Sequence, residues 1–144
     1  MKVKDIMTAD PAVCTPEASI SDAARLMCTH DCGEIPVVDN RESRKPVGVI
    51  TDRDIACRAV ANHKDADTRV SEVMSKGVVT CSPDAHAEEC MELMQEHQLR
   101  RIPIVDAQGK ISGIVAQADL ARQTGQVETA QVVRNVSQPS QPTF

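Results

Sequence analysis

Shifted against itself by 67 positions, the chain repeats: Val3 falls on Val70, Met7 on Met74, Cys14 on Cys81, Pro16 on Pro83 and Ala18 on Ala85. The match continues through Leu26/Leu93, Met27/Met94, His30/His97, Ile35/Ile102, Pro36/Pro103, Val38/Val105 and Asp39/Asp106. That makes 12 identities over positions 3–39, where chance would give roughly two or three. Past Asp39 the shift drops to 65, bringing Gly48 onto Gly113 and Asp54 onto Asp119, so the first copy carries two extra residues in the loop Asn40–Pro46. A tandem duplication constrains folding more tightly than any local propensity, because whatever one copy forms the other must form as well. The copies occupy 1–61 and 70–124, with a polar linker, Asn62–Arg69, between them and a tail over 125–144.

Both copies carry the same pattern. Ile20, Ala23, Ala24, Met27 and His30 form one stripe at helical spacing; Ala87, Cys90, Met91, Leu93, Met94 and His97 form its counterpart. Ser19, with Asp22 three residues on, predicts a capped start for the first of these helices. Ile35–Val38 and Val47–Ile50 are short β-branched runs on either side of a polar turn, as are Ile102–Val105 and Ile111–Val115, and they predict strands. Asp52–Ala61 and Gln117–Gln123 predict short helices. Each repeat therefore reads strand, helix, strand, strand, helix, an α/β unit. In the tail, Val127, Ala130, Val133 and Val136 predict a further helix over Val127–Val136, packed on the body or on a second subunit. Ser137–Thr143 predicts a disordered end.

Composition removes several classes of function. Among 144 residues, 16 basic and 21 acidic side chains leave a net charge of −5, the wrong sign for holding nucleic acid by its phosphates. There is no Trp or Tyr and one Phe, Phe144, so base-stacking platforms and aromatic cages are excluded. Nowhere do 18 apolar residues run together, which argues against a membrane span, and the first residues lack the apolar core of a secretory signal. The expected address is the cytoplasm. There the six cysteines, Cys14, Cys28, Cys32, Cys57, Cys81 and Cys90, read as reduced thiols.

With the repeat and its motifs in hand, the sequence resembles the cystathionine-β-synthase (CBS) domain pair, or Bateman module. The motifs are Asp5-Ile6-Met7, Cys14-Thr15-Pro16, Gly33–Asp39 and Gly48–Ile55, and in the second copy Glu72-Val73-Met74, Cys81-Ser82-Pro83, Arg101–Asp106 and Gly113–Leu120. The likeness covers residues 3–123 and is greatest to the small bacterial members without an attached enzyme or channel, the hypoxic-response type among them. It implies an α/β fold of two pseudo-twofold-related halves, commonly dimerised into a flat disc. It further implies a regulatory ligand, an adenine nucleotide (AMP, ADP or ATP), bound in clefts between the repeats, with no resident cofactor.

Two readings stand at Thr51-x-x-Asp54, where a strand becomes a helix. In one, Thr51 is an N-cap and Asp54 complements the helix dipole. In the other, which the resemblance implies, the Thr51 hydroxyl helps hold an anion at the helix start while Asp54 accepts hydrogen bonds from two vicinal ribose hydroxyls. The second copy keeps Asp119 but has Ala116 for the threonine, a loss of one polar contact worth about 1 kcal/mol. Ahead of the Ile-Pro step it has Arg100-Arg101 where the first copy has Gly33-Glu34. Arginine pairs with phosphate through a planar fork and Glu34 repels it; the alternative is two solvated surface charges.

In related pairs the arginine reaches the ligand held by the other repeat. The resemblance therefore groups Thr51, Asp54 and Arg101 in a competent site, and Ala116, Asp119 and Glu34 in a weak or empty one. Ile35-Pro36 and Ile102-Pro103 would be apolar walls for adenine, and backbone at Val13–Thr15 and Thr80–Ser82 would read its edge; the same residues also read as core. Arg53 reads as an exposed helix residue.

Cys28-x-His30-x-Cys32 has the look of a metal or redox cluster. On a continuing helix, however, residues 28 and 32 share a face and 30 points away, so no metal is assigned there. The repeat equivalence of His30 with His97, and of Cys14 with Cys81, favours structural roles. No motif sets a histidine or carboxylate beside a credible nucleophile, so the chain reads as a non-enzyme. Two alternatives to a nucleotide sensor stay open: a stress-related interaction protein that no longer binds nucleotide, and a thiol-based redox or metal sensor. The effector protein is unknown.

Overall fold

A computed structural model describes residues 1–123 and 133–137. In it the strand signals of the two repeats become two three-stranded antiparallel sheets. In chain order the elements are β1 (Thr8–Ala9), α1 (Ile20–His30), β2 (Glu34–Val38), β3 (Pro46–Thr51), α2 (Asp52–Asp54), β4 (Ser75–Lys76), α3 (Ala87–His97), β5 (Arg101–Val105), β6 (Ile111–Ala116) and α4 (Gln117–Gln123). One sheet has the order β1-β6-β5 and the other β2-β3-β4. Both hairpins carry the same irregularity, at Val37/Val38 and at Ile104/Val105.

The chain divides into two compact units that are offset from the sequence repeats. Among the described residues, unit 1 takes Met1–Pro11 and everything from Val79 on; unit 2 takes Ala12–Val78. The opening segment of each copy thus completes the sheet built by the other copy's hairpin: β1 adds to β6, with Thr8 opposite Ile114, and β4 adds to β3, with Gly48 opposite Lys76. The expected leading strand of each repeat shrinks to these two residues and to single bridges, Cys14 with Val37 and Cys81 with Ile104.

Apolar residues at the predicted spacings form the core of each unit. In unit 2, Ile20, Ala23 and Met27 of α1 pack with Ile35, Val37, Ile50, Val70 and Val73. In unit 1, Ala87, Cys90, Met91 and Met94 of α3 pack with Val3, Ile102, Ile104, Val115 and Leu120. The Ser19 hydroxyl accepts the Asp22 N–H at 3.0 Å, so α1 starts where predicted. His30 and His97 are the last residues of α1 and α3, where a cation is favourable to the helix dipole. Both helices stop at a residue in the left-handed region, Asp31 (φ 50°) and Gln98 (φ 54°).

The β2–β3 turn is organised by Asp39, whose carboxylate accepts from the Ser43 hydroxyl at 2.6 Å and from the Asn40 and Lys45 amides at 2.8 and 3.0 Å. These bonds, that of Ser43 above all, hold its pKa below the ordinary aspartate value. Asp106 organises the shorter second turn, accepting from the Gln108 and Lys110 amides at 2.9 and 3.0 Å.

The helix expected over Asp52–Ala61 is not uniform. After the α turn of α2 the chain widens into a π-helix, Ile55–Ala59, and tightens into a 3₁₀ turn, Val60–Asn62. At the far end only the last turn of the expected Val127–Val136 helix is described. There Val136 is buried in the core of unit 1, and Asn135 donates to Gln95 of α3 at 3.0 Å. Positions 127–132 and the expected disordered end, 138–143, lie outside the described residues. No described helix is long and apolar enough to cross a membrane.

Candidate functional site

Unit 2 draws together the first copy's predicted residues. Glu34 lies opposite Thr51, Ile35 opposite Ile50 and Pro36 opposite Val49. Between Val13 and Thr15, Cys14 runs parallel to β2, its N–H donating to the Pro36 carbonyl at 3.1 Å and its carbonyl accepting the Val38 N–H at 2.9 Å. Val13 and Ile35 are buried, so their side chains are core, whereas Thr15 and Thr51 are half-exposed.

At the end of β3 the chain turns into α2 through a reciprocal cap. The Thr51 hydroxyl accepts the Asp54 N–H at 3.0 Å, and an Asp54 carboxylate oxygen accepts the Thr51 N–H at 3.1 Å. The structural reading of Thr51 as an N-cap is therefore realised, and it does more than fix the helix start: it immobilises the carboxylate of a side chain that is only 8% exposed. A buried carboxylate needs compensation. Asp54 has it from Ser75, whose hydroxyl lies 3.4 and 3.5 Å from the two carboxylate oxygens, and from the Arg58 guanidinium at 3.7 Å. Arg53 is exposed, as expected.

Unit 1 holds the second copy of the set. Arg101 stands opposite Ala116 in the β5–β6 ladder, and Ile102 and Pro103 follow it, both buried. The Ala116 N–H donates to Asp119 at 2.7 Å, which keeps half of the reciprocal cap. The other carboxylate oxygen of Asp119 is taken by the Arg122 guanidinium at 2.8 Å. Asp119 is thus an ion-paired acid with an 11% exposed side chain, next to a methyl group where unit 2 has a hydroxyl. Thr80, Cys81, Ser82, Val105 and Asp106 line a pocket of about 350 Å³ in this unit. Arg100 is exposed, and its carbonyl accepts the Gln117 N–H at 2.8 Å.

Three residues of these networks, Arg58, Ser75 and Arg122, went unremarked in the sequence. The i,i+4 spacing of Asp54 and Arg58 was the available signal for one. The equivalence of Ser75 with Thr8, hydroxyls in both copies, was the signal for another.

The thiols divide sharply. Burial pushes Cys14 up to about 11 and Cys90 up to about 12, and raises Cys81 as well, so these three are held protonated and are poor nucleophiles. Cys28 is exposed, and Cys32 is half-buried with its Sγ 3.6 Å from the Glu34 carbonyl. Among the described residues, no three His, Cys, Asp or Glu side chains gather in a way that could hold a metal ion.

Comparison with known proteins places the fold. The family model for the CBS domain matches residues 3–59 and again 70–124. The CBS domain-containing protein YhcV of Bacillus subtilis is 47% identical over 119 residues, 83% of this chain and 82% of that one. A crystal structure of Hypoxic Response Protein I with two coordinated zinc ions superposes with a TM-score of 0.77 at 30% identity, covering 87% of this chain and 100% of that one. The CBS domain pair of protein MJ0100, in complex with 5-methylthioadenosine and S-adenosyl-L-methionine, superposes with a TM-score of 0.77 at 32% identity, again over 87% and 100%.

Proposed function

The chain belongs to the CBS-domain family, carrying two copies of the domain, and from that premise we propose that it is a regulatory module whose ligand is an adenine nucleotide captured at Thr51 and Asp54. The observation that carries this reading is the buried, rigidly capped Asp54 carboxylate beside the Thr51 hydroxyl at the start of α2. A fixed carboxylate is suited to accept two hydroxyls at once, and a vicinal diol is the part common to every adenosine ligand. The MJ0100 pair, which shares the fold, is described with two adenosine compounds. Adenine would lie against the Ile35–Pro36 stretch, with backbone at Val13–Thr15 along its edge.

Asp119 is a weaker acceptor on this reading. Arg122 holds one of its oxygens at 2.8 Å, against 3.7 Å for Arg58 at Asp54, and Ala116 offers no hydroxyl. Ligand binding acts by population shift, favouring whichever shape or homodimeric assembly holds the nucleotide more tightly. The role is sensing rather than catalysis.

Calorimetry with AMP, ADP, ATP and S-adenosylmethionine, in reducing buffer, tests the reading in a chain that lacks Trp and Tyr reporters. We expect saturable heat near one ligand per chain, weakened more than about tenfold in Asp54→Ala, the loss expected from a charged hydrogen-bond partner, and retained in Asp119→Ala. Folded wild-type protein that gives no heat with any of the four at millimolar concentration overturns it.

A further inference from the structure

Arg58 follows Asp54 by one turn, in the one π-helical segment among the described residues. Such wide turns recur at functional positions in helices. Its Nη1 lies 3.1 Å from the Val73 carbonyl, 3.2 Å from the Met74 carbonyl and 3.1 Å from the Ser75 hydroxyl, besides the 3.7 Å to Asp54. One guanidinium nitrogen carries two hydrogens, so four acceptors share them. The Ser75 hydroxyl donates onward to Asp54. All of these residues belong to unit 2. Together they tie the helix start that carries Asp54 to Val73–Lys76, the stretch that forms β4 and leads to Val78, where the unit ends.

Among the described residues the second copy has no such clamp. Sixty-five positions past Arg58 stands Gln123, and the counterpart of Ser75 is Thr8. Asp119 is neutralised instead by Arg122, whose counterpart in the first copy is Cys57. The clamp is therefore specific to the first repeat and is not a requirement of the fold.

We infer that Arg58 is a positioning residue that links ligand capture at Asp54 to the segment Val73–Lys76. This rests on the reading of Asp54 as the acceptor for a ligand diol. The Asp54 carboxylate offers about four lone-pair sites, and the Thr51 N–H, the Ser75 hydroxyl and the Arg58 guanidinium already face three of them, so two donating hydroxyls displace Ser75. Ser75 must then turn its proton elsewhere, and Arg58 is left to the carbonyls of Val73 and Met74 and to the Ser75 oxygen. Occupancy at Asp54 is thereby registered in β4. By reciprocity, whatever shifts β4 alters affinity at Asp54 by the same factor.

The test is backbone hydrogen exchange over Met74–Gly77, with and without saturating AMP or S-adenosylmethionine, run beside calorimetry on the full chain. In the wild type we expect ligand to change exchange across this stretch by about threefold or more, a modest coupling. Arg58→Gln weakens binding about tenfold and abolishes the exchange response at saturation. Ser75→Ala removes only the hydroxyl relay. It binds within about threefold of wild type yet loses the response, and it decides the matter alone should Arg58→Gln fail to fold. Variants that keep both affinity and exchange response overturn the link while leaving Asp54 as the ligand site. A wild type that binds neither probe removes that site and the link with it, and the silent calorimeter tells this outcome from the first.

Discussion

Replacing Gly48 by alanine should destabilise the protein through a single backbone collision. A Cβ at this position would lie 2.6 Å from the Ser75 carbonyl oxygen and 3.1 Å from the Met74 sulfur. An ordinary carbon–oxygen contact is about 3.3 Å, so β4 would have to retreat by roughly 0.7 Å. The obstacle is main chain, which cannot swing aside. β4 is held to β3 by only two residue pairs, Gly48 with Lys76 and Val49 with Ser75, and both would open. Overpacking of this kind costs about 1–3 kcal/mol. With a urea m-value of about 2 kcal/mol per molar, the midpoint followed by far-ultraviolet circular dichroism should fall by roughly 0.5–1.5 M.

Gly113→Ala is the internal control. There the added carbon meets the flexible Met7 side chain and a Thr8 carbonyl oxygen at 3.0 Å, so part of the strain is relieved by rotamer change and the loss should be smaller, about 1 kcal/mol. A Gly48→Ala midpoint within about 0.2 M of wild type, or a larger drop for Gly113→Ala, would refute the reasoning.

Two further outcomes are expected. Met94→Ala empties a site with 0% exposure in the core of unit 1 and should cost about 2–5 kcal/mol, read as a lower urea midpoint. In native protein a thiol reagent should label Cys28 first and reach Cys14, Cys81 and Cys90 only on unfolding. Because burial raises Cys14 and Cys90 to about 11 and 12, the unfolded chain loses these protons before the folded one does. Stability should be fully present below the ordinary thiol value of 9.0 and decline as pH rises through that interval. Conversion of Cys14 and Cys90 together to alanine should flatten that decline.

The hairpins and the α1 and α3 helices were legible in the sequence because burial there follows a fixed period. Ile35–Val38 against Val47–Ile50 needs only the turn at Asp39 to set its register, and Ile20, Ala23 and Met27 need only one apolar face. The short elements were not legible. Thr8–Ala9 and Ser75–Lys76 have no pattern of their own, and their pairing partners, Ile114 and Gly48, lie far along the chain; only the tertiary fold decides which hairpin they join. The site divides the same way. Thr51 and Asp54 announce themselves at a strand-to-helix junction, whereas Arg58 gains its meaning from carbonyls 15 and 16 residues away, on a segment that had read as the start of the second copy.

The exchange of opening segments also fixes an order of events during synthesis. Unit 2 is one continuous stretch ending at Val78 among the described residues, so it can close as soon as that stretch has emerged. Unit 1 needs Met1–Pro11 and also β6, which is made about a hundred residues later. At 5–20 residues per second that leaves Met1–Pro11 waiting for roughly 5–20 s. During this interval Val3 and Ile6, both core in the finished unit, are without the β6 side of that core. Misassociation during synthesis is thus a hazard at those two apolar side chains, and charged residues stand beside them: Lys2, Lys4 and Asp5.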